Sequence, residues 1–113
     1  MVESENWPND ADGDVMRRLR NRRIDFAKRH RIDFNIDFES WPPPAEAIAL
    51  LRQKYESVTV YAPSDGAPGG VMVQMEEVLS YDFVVQMQSM ISEAMAPFGG
   101  VCEAWGLLTG AGT

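Results

Sequence analysis

Arg31-Ile-Asp-Phe-Asn-Ile-Asp-Phe-Glu-Ser40 is the stretch of this chain that decides its fold. Within it, Ile32, Phe34, Ile36 and Phe38 alternate with acidic or polar residues. Because successive side chains of a β-strand point to opposite faces, the pattern predicts a strand with one apolar and one acidic face. A strand buried on both faces would be a continuous apolar run instead. We therefore expect a sheet that helices cover on one side and that stays open on the other.

The remaining elements follow from apolar spacing and turn signals. Three helices are predicted: one begins near Asn9 or Asp10, a second follows Trp41-Pro-Pro-Pro44, and a third begins at Ser80 or Asp82. Further strands are predicted at 57–62, 71–75 and 101–108. After the first helix the order is β-α-β-β-α-β, which right-handed crossovers join into a four-stranded antiparallel sheet with two helices on one face. The predicted fold is therefore α+β, a ferredoxin-like sandwich preceded by an extra N-terminal helix.

Length and composition narrow the class of protein. With 113 residues and 45% hydrophobic residues, we expect one folded domain at 9–108, with a flexible N-terminal tail at 1–8 and a C-terminal tail at 109–113. No apolar run approaches the roughly 18 to 20 residues of a membrane span. The start of the chain lacks the features of a signal peptide, and Cys102 is the single cysteine. These features predict a cytoplasmic protein that does not bind a membrane.

The charges are unevenly distributed. The net charge is −7, yet eight of the ten Lys and Arg residues lie at positions 17–31. An acidic body with a basic patch repels free nucleic acid and favours a basic or mixed-charge protein surface. RNA-recognition domains share the predicted element order, but the third strand, Gly70-Val-Met-Val-Gln-Met-Glu76, lacks their Lys/Arg-Gly-Phe pattern. We expect no direct nucleic-acid contact, and an RNA-binding domain is the lesser alternative.

No segment matches a known catalytic or metal-binding pattern. Asp10-Ala-Asp-Gly-Asp14 resembles a calcium loop, but Val15 and Asn21 stand where an EF-hand has its glycine and its bidentate Glu. His30 is the only histidine, so neither a zinc cluster nor a catalytic triad with a second His is available. Cys102 is predicted on the inner face, where a thiol is a packing residue. The sequence therefore predicts a protein that is not an enzyme and has no metal or cofactor.

The open face of the predicted sheet is the candidate binding surface. By alternation it carries Asp33, Asp37, Tyr61, Glu103 and Trp105. An open sheet offers no enclosed pocket to shift the pKa values of its carboxylates, which favours a solvated acidic surface over an acid/base group. Large aromatic residues carry much of the binding energy in interfaces. Trp105 is therefore either an anchor for a partner, or the first helix or the N-terminal tail folds over the open face and covers it.

Three segments together resemble a known family. They are Asp12-Gly-Asp-Val-Met-Arg-Arg-Leu19, His30-Arg-Ile-Asp-Phe-Asn-Ile-Asp-Phe-Glu-Ser40 and Phe98-Gly-Gly-Val-Cys-Glu-Ala-Trp-Gly106. In this order they resemble the RraB family, the regulators of ribonuclease E activity. The matching positions are Asp14, Val15, Leu19, Asp33, Phe34, Phe38, Ser40, Gly99, Gly100, Trp105 and Gly106. The chain departs from the pattern at Trp41-Pro-Pro-Pro44 and at Cys102-Glu-Ala104.

The resemblance implies a ferredoxin-like fold and a non-catalytic, cytoplasmic bacterial regulator of RNA degradation. Its partner would be a protein, ribonuclease E or another ribonuclease. From its acidic and aromatic residues, we expect the open face to be the surface that binds this partner. A self-associating module, in which arginine-rich helices bridge two acidic sheet faces, is one alternative, and a small-ligand-binding module is another. An enzyme would require a deep pocket that gathers His30 with two carboxylates.

Overall fold

The described part of the chain forms a four-stranded antiparallel sheet with three α-helices. The computed structural model describes residues 7–66 and 68–107. The elements are α1 (Ala11–Asn21), β1 (Arg29–Phe38), α2 (Ala45–Lys54), β2 (Ser57–Tyr61), β3 (Gly70–Val78), α3 (Tyr81–Met95) and β4 (Gly100–Leu107). The strand order is β2-β3-β1-β4, and each neighbouring pair is antiparallel. The predicted α+β class is confirmed, and the element order is compatible with a ferredoxin-like sandwich preceded by an extra helix.

The apolar side of β1 forms the centre of the core. Ile32, Phe34 and Ile36 are fully buried, as their alternation predicts. The Phe34 ring meets the Phe83 ring of α3 edge-on, with 6.1 Å between centroids. Burial of each such side chain stabilises the fold by about 1.5–3 kcal/mol. The residues that join them in the core include Val71, Val73, Val84, Ile91 and Met95.

The two capped helices begin where short polar side chains accept hydrogen bonds from their first turns. Asp10 Oδ1 accepts from the Gly13 backbone N–H at 2.7 Å, and Ser80 Oγ accepts from the Phe83 N–H at 3.1 Å. Such caps satisfy backbone donors that have no partner inside the helix. The predicted starts are confirmed, with Asp10 rather than Asn9 as the N-cap of α1 and Ser80 as the N-cap of α3.

A β-bulge interrupts the pairing of β4 with β1. Ile36 lies opposite Cys102, but its neighbour Asn35 lies opposite Ala104, so Glu103 has no partner residue on β1. One extra residue in a strand reverses the inward and outward alternation of everything beyond it. Up to Cys102, which is buried, the alternation follows the prediction, and beyond Glu103 it is inverted.

The inversion places Trp105 on the helix side of the sheet. Trp105 lies opposite the inward-facing Phe34, and only 8% of its surface is exposed. Ala104 and Gly106 lie opposite Asn35 and Asp33, on the open face. The prediction that Trp105 points to the open face is therefore wrong. The physical reason is the bulge at Glu103.

The residues directly before α1 pack against the domain. The Trp7 ring contacts the Phe26 ring at 5.5 Å between centroids, and Arg17 Nη1 donates to the Trp7 and Pro8 carbonyls at 3.2 Å each. The predicted tail at 1–8 is therefore wrong at Trp7 and Pro8. Residues 1–6 and the predicted C-terminal tail at 109–113 lie outside the described residues.

Gly13 allows the segment Trp7–Pro8, called here the Trp7–Pro8 arm, to approach α1 closely. A Cβ at position 13 would lie 1.9 Å from the Pro8 carbonyl oxygen, closer than real Cβ atoms come to any backbone atom. The residue is buried and helical, so backbone contact alone explains why a glycine occupies the first turn of α1. Glycine is used where two backbone segments approach this closely.

We predict that Gly13→Ala displaces the Trp7–Pro8 arm and lowers the free energy of unfolding by about 1–3 kcal/mol, as overpacking does elsewhere. Urea denaturation measures the loss. Gly106→Ala is the matched control, because a Cβ at position 106 meets no atom within 4 Å. Equal stability of the two variants would contradict the close approach of Pro8 to α1.

Candidate functional site

The centre of the open face is a hydrogen-bonded network across three strands. Gln74 of β3 donates through Nε2 to Asp33 Oδ1 of β1 at 2.8 Å. Its Oε1 accepts from the Ser57 hydroxyl of β2 at 3.3 Å and from Arg31 Nη2 at 3.4 Å. Asp33 is half-buried and bonded within the sheet. The Asp33 carboxylate therefore holds neighbouring side chains in place and is less available to bind a partner than a free carboxylate.

The acidic end of the open face, defined here as Asp37, Tyr61 and Glu103, lies at the end of β1. Asp37 and Tyr61 line one shallow groove of about 440 Å³ beside the β2–β3 connection, with Ser64 and Pro68 on its far side. Tyr61 is 44% exposed. Glu103 is exposed on the other side of β1, at the bulge of β4. The structure thus brings Asp37 and Tyr61 together and leaves Asp33 in the central network.

The basic end of the open face, defined here as Arg29, Arg31 and Lys54, lies where β1 begins. These three residues line a cleft of about 360 Å³ together with Glu56 and Glu76. The Arg29 guanidinium donates to the Glu76 carbonyl at 2.8 Å. Sequence reasoning missed this end, although Arg29 and Arg31 share the odd-numbered alternation of Asp33. The end where β1 begins therefore carries three basic and two acidic residues, an excess of one positive charge, whereas Asp37 and Glu103 make the other end acidic.

Trp105 belongs to a polar contact between α1, α3 and β4. Its Nε1 donates to Asp12 Oδ1 at 2.8 Å, and Gln88 Nε2 donates to the same oxygen at 3.0 Å. A buried indole N–H needs an acceptor, and Asp12 supplies one. The first helix covers Trp105, but not in the predicted way, because it does not fold over the open face. The covered side is the helix side of the sheet.

The acidic segment at the start of α1 is fully explained by contacts within the protein. Asp10 caps the helix, Asp12 holds Trp105, Gly13 admits the Pro8 backbone, and Asp14 forms an ion pair with Arg17. These roles account for the three carboxylates and the glycine that resembled a calcium loop. Among residues 7–66 and 68–107, no group of three His, Cys, Asp or Glu side chains is placed to hold a metal ion.

A second contact between α1 and α3 shifts two pKa values. The Tyr81 hydroxyl donates to Asp10 Oδ2 at 2.6 Å. This bond, with the Gly13 N–H, lowers the pKa of Asp10 below its ordinary 3.8, and the same bond raises the pKa of Tyr81 to about 12. The contact therefore contributes stability between about pH 4 and pH 10. The contribution is lost as pH falls through the lowered pKa of Asp10 or rises through about 12.

Cys102 and His30 have contacts typical of structural rather than catalytic residues. Burial raises the pKa of the Cys102 thiol to about 12, so it stays protonated near neutral pH. The Ser92 hydroxyl of α3 accepts from the Cys102 N–H at 2.8 Å and donates to its carbonyl at 3.2 Å. His30 Nε2 lies 2.6 Å from the Asp25 carbonyl, beside the start of β1. No groove described above gathers His30 with two carboxylates.

Comparison with known proteins identifies one family. Residues 9–107 match the family model RraB, described as Regulator of ribonuclease activity B. No curated protein and no solved structure matches the chain. Within the part of the chain that the structure describes, no helix has the length and apolar character to cross a membrane.

We predict that Asp12→Ala lowers the free energy of unfolding by roughly 1–3 kcal/mol, because it leaves the Trp105 indole N–H and the Gln88 amide without their acceptor. Urea denaturation measures the loss, and the tryptophan emission of the folded variant is expected to shift to the red. Asp14→Ala is the matched control, since Asp14 lies in the same helical turn and holds only a surface ion pair worth at most about 1 kcal/mol. A loss as small for Asp12→Ala as for Asp14→Ala would contradict the assigned contact.

Proposed function

The chain belongs to the RraB family of ribonuclease regulators, and on that premise we propose that it binds a ribonuclease through the acidic end of its open sheet face. Membership supports regulation of ribonuclease activity rather than catalysis, and a ribonuclease as the protein partner. The choice of surface, of ribonuclease E or a related enzyme as the target, and of the mode of action is our inference.

The choice of surface rests on two exposed carboxylates, Asp37 and Glu103, and on the exposed Tyr61, which shares a groove with Asp37. Asp37 and Glu103 are exposed, and the only ion pair within 4 Å among the described residues is Arg17–Asp14. Tyr61 is exposed nearby and adds an aromatic side chain of the kind that contributes strongly to interfaces. Trp105 is no part of this surface, because α1 covers it.

Charge complementarity indicates the chemistry of the partner's surface. Enzymes that bind RNA do so largely through Lys and Arg side chains that contact phosphates. A flat surface with free carboxylates complements such a basic segment. If Asp37 and Glu103 occupied the basic segment of the ribonuclease, RNA could not bind there. Inhibition would then require binding alone and no catalytic reaction by this chain. An interaction of this kind weakens as salt screens it.

The central network supports the proposal by fixing the side chains at the centre of the surface. Asp33, Gln74 and Ser57 are tied to one another across β1, β3 and β2. A preorganised surface loses less entropy on binding than a mobile one. Asp33 therefore contributes to the proposed surface by positioning its neighbours, and Asp37, Tyr61 and Glu103 make the contacts.

We predict that Asp37→Lys/Glu103→Lys weakens binding to a purified RraB-regulated ribonuclease by about tenfold or more, since it replaces two attractive charges with repulsive ones. Calorimetry measures the affinity, and cleavage of a labelled RNA measures the inhibition, which is expected to fall in parallel.

Glu93→Lys is the control, because it makes the same change at an exposed position of α3 on the helix side. Its affinity is expected to match the wild type within a factor of about two, as for a charge away from the interface. Wild-type affinity of the Asp37→Lys/Glu103→Lys variant, with an unchanged circular-dichroism spectrum, would rule out the acidic end as the docking surface.

A further inference from the structure

The two edges of the sheet differ in how they are protected. At the β4 edge, the Ser92 hydroxyl of α3 binds both the N–H and the carbonyl of Cys102. The same strand carries a bulge and a charge at Glu103. Side-chain caps, bulges and charges are devices that keep an edge strand from pairing with another chain.

The β2 edge has none of these devices. Ser57-Val-Thr-Val-Tyr61 contains no charged residue, proline or glycine, and it consists almost wholly of β-branched and aromatic residues, which favour strands. It pairs with β3 over five residues without a register shift. Within the described residues, the hydrogen bonds made by side chains near β2 leave its backbone free of side-chain caps. An exposed, regular strand of this composition is a template for another strand.

We propose that β2 pairs with β2 of a second copy of this chain, antiparallel and about a two-fold axis at Thr59. The pairing extends the sheet to eight strands. It places Ser57 opposite Tyr61 of the second copy, Val58 opposite Val60, and Thr59 opposite its own equivalent. A two-fold interface must be self-complementary, and no like charges meet in this register.

The exposed valine of β2 supports a second copy as the occupant. Val60 lies opposite the fully buried Val71 of β3, on the helix side of the sheet, yet it is 39% exposed. In the proposed register, Val58 of the second copy covers it. Pairs of β-branched residues across neighbouring strands stabilise a sheet.

The charges of α2 also match a second copy. Of the strands, β2 has the most extensive contact with α2, so the two α2 helices lie near each other in the proposed dimer. The two-fold axis makes them antiparallel. Glu46 in the first turn of one helix then approaches Arg52 and Lys54 in the last turn of the other. The two-fold axis repeats this contact at the other end of the helix pair. At each end, opposite charges and opposite helix termini are brought together.

This inference does not rest on the proposed function, because it concerns the backbone edge of β2. The two proposals share only Tyr61, whose side chain belongs to the acidic end of the open face. Side chains of β2 that point to the open face keep that orientation in the dimer. Both copies therefore present their acidic ends on one continuous surface. A strand pair of five residues is small, so we expect an equilibrium between monomer and dimer that shifts with concentration.

Sedimentation of the full chain from micromolar to millimolar concentration tests the proposal. The wild type is expected to move from the mass of one chain to twice that mass. Thr59→Lys is expected to remain monomeric, because two lysines would face each other at the axis, and Thr59→Glu is expected to do the same. Thr59→Val is the matched control and keeps the dimer. Thr59 is exposed, so circular dichroism should show each variant folded.

An equimolar mixture of the Thr59→Lys and Thr59→Glu variants is the most specific test of the proposed axis. It is expected to restore the dimer, since opposite charges then meet at the axis. A wild type that stays monomeric throughout overturns the proposal and leaves the edge to a strand from another protein. A dimeric Thr59→Lys variant, or a mixture that stays monomeric, overturns the assigned axis. Ribonuclease binding by the monomeric variants reports separately on the docking surface.

Discussion

The hydrogen bond from Trp105 Nε1 to Asp12 Oδ1 is the contact on which the arrangement of this domain depends. It forms only because the bulge at Glu103 turns Trp105 to the helix side of the sheet. Hydrogen bonds to a charged acceptor contribute about 1.5–3 kcal/mol. Together with the Asp10–Tyr81 contact, it fixes α1 against α3 and β4. It also removes the largest aromatic side chain from the open face.

The two sides of the sheet consequently have separate roles. The helix side holds the buried side chains of β1, β3 and α3, which supply most of the stability. The open side carries polar and charged residues, with Arg29 and Arg31 at one end and Asp37 and Glu103 at the other. A partner that matches both ends would bind in one orientation only. Complementary charges of this kind contribute more to specificity and to the rate of association than to affinity.

The sequence was informative wherever structure is set locally. The alternation in β1 and the approximate starts of α1 and α3 depend on neighbouring residues, and they were predicted correctly, although Asp10 rather than Asn9 caps α1. The orientation of Trp105 was not predictable in this way, because a bulge has no residue signature of its own and is fixed by pairing with β1. Its acceptor lies 93 positions earlier in the chain. Arg29 and Arg31 follow the same alternation as Asp33, so their place on the open face was predictable from the sequence.

Hydrogen exchange at the three tryptophan indoles, followed by NMR, tests the inward orientation of Trp105 most directly. Single Trp→Phe variants assign the three signals. The account predicts that the Trp105 indole N–H exchanges far more slowly than that of Trp41, whose side chain is 37% exposed. It also predicts magnetisation transfer between the Trp105 indole proton and the side chain of Gln88. Exchange of Trp105 as fast as that of Trp41 would place the ring on the open face and contradict the account.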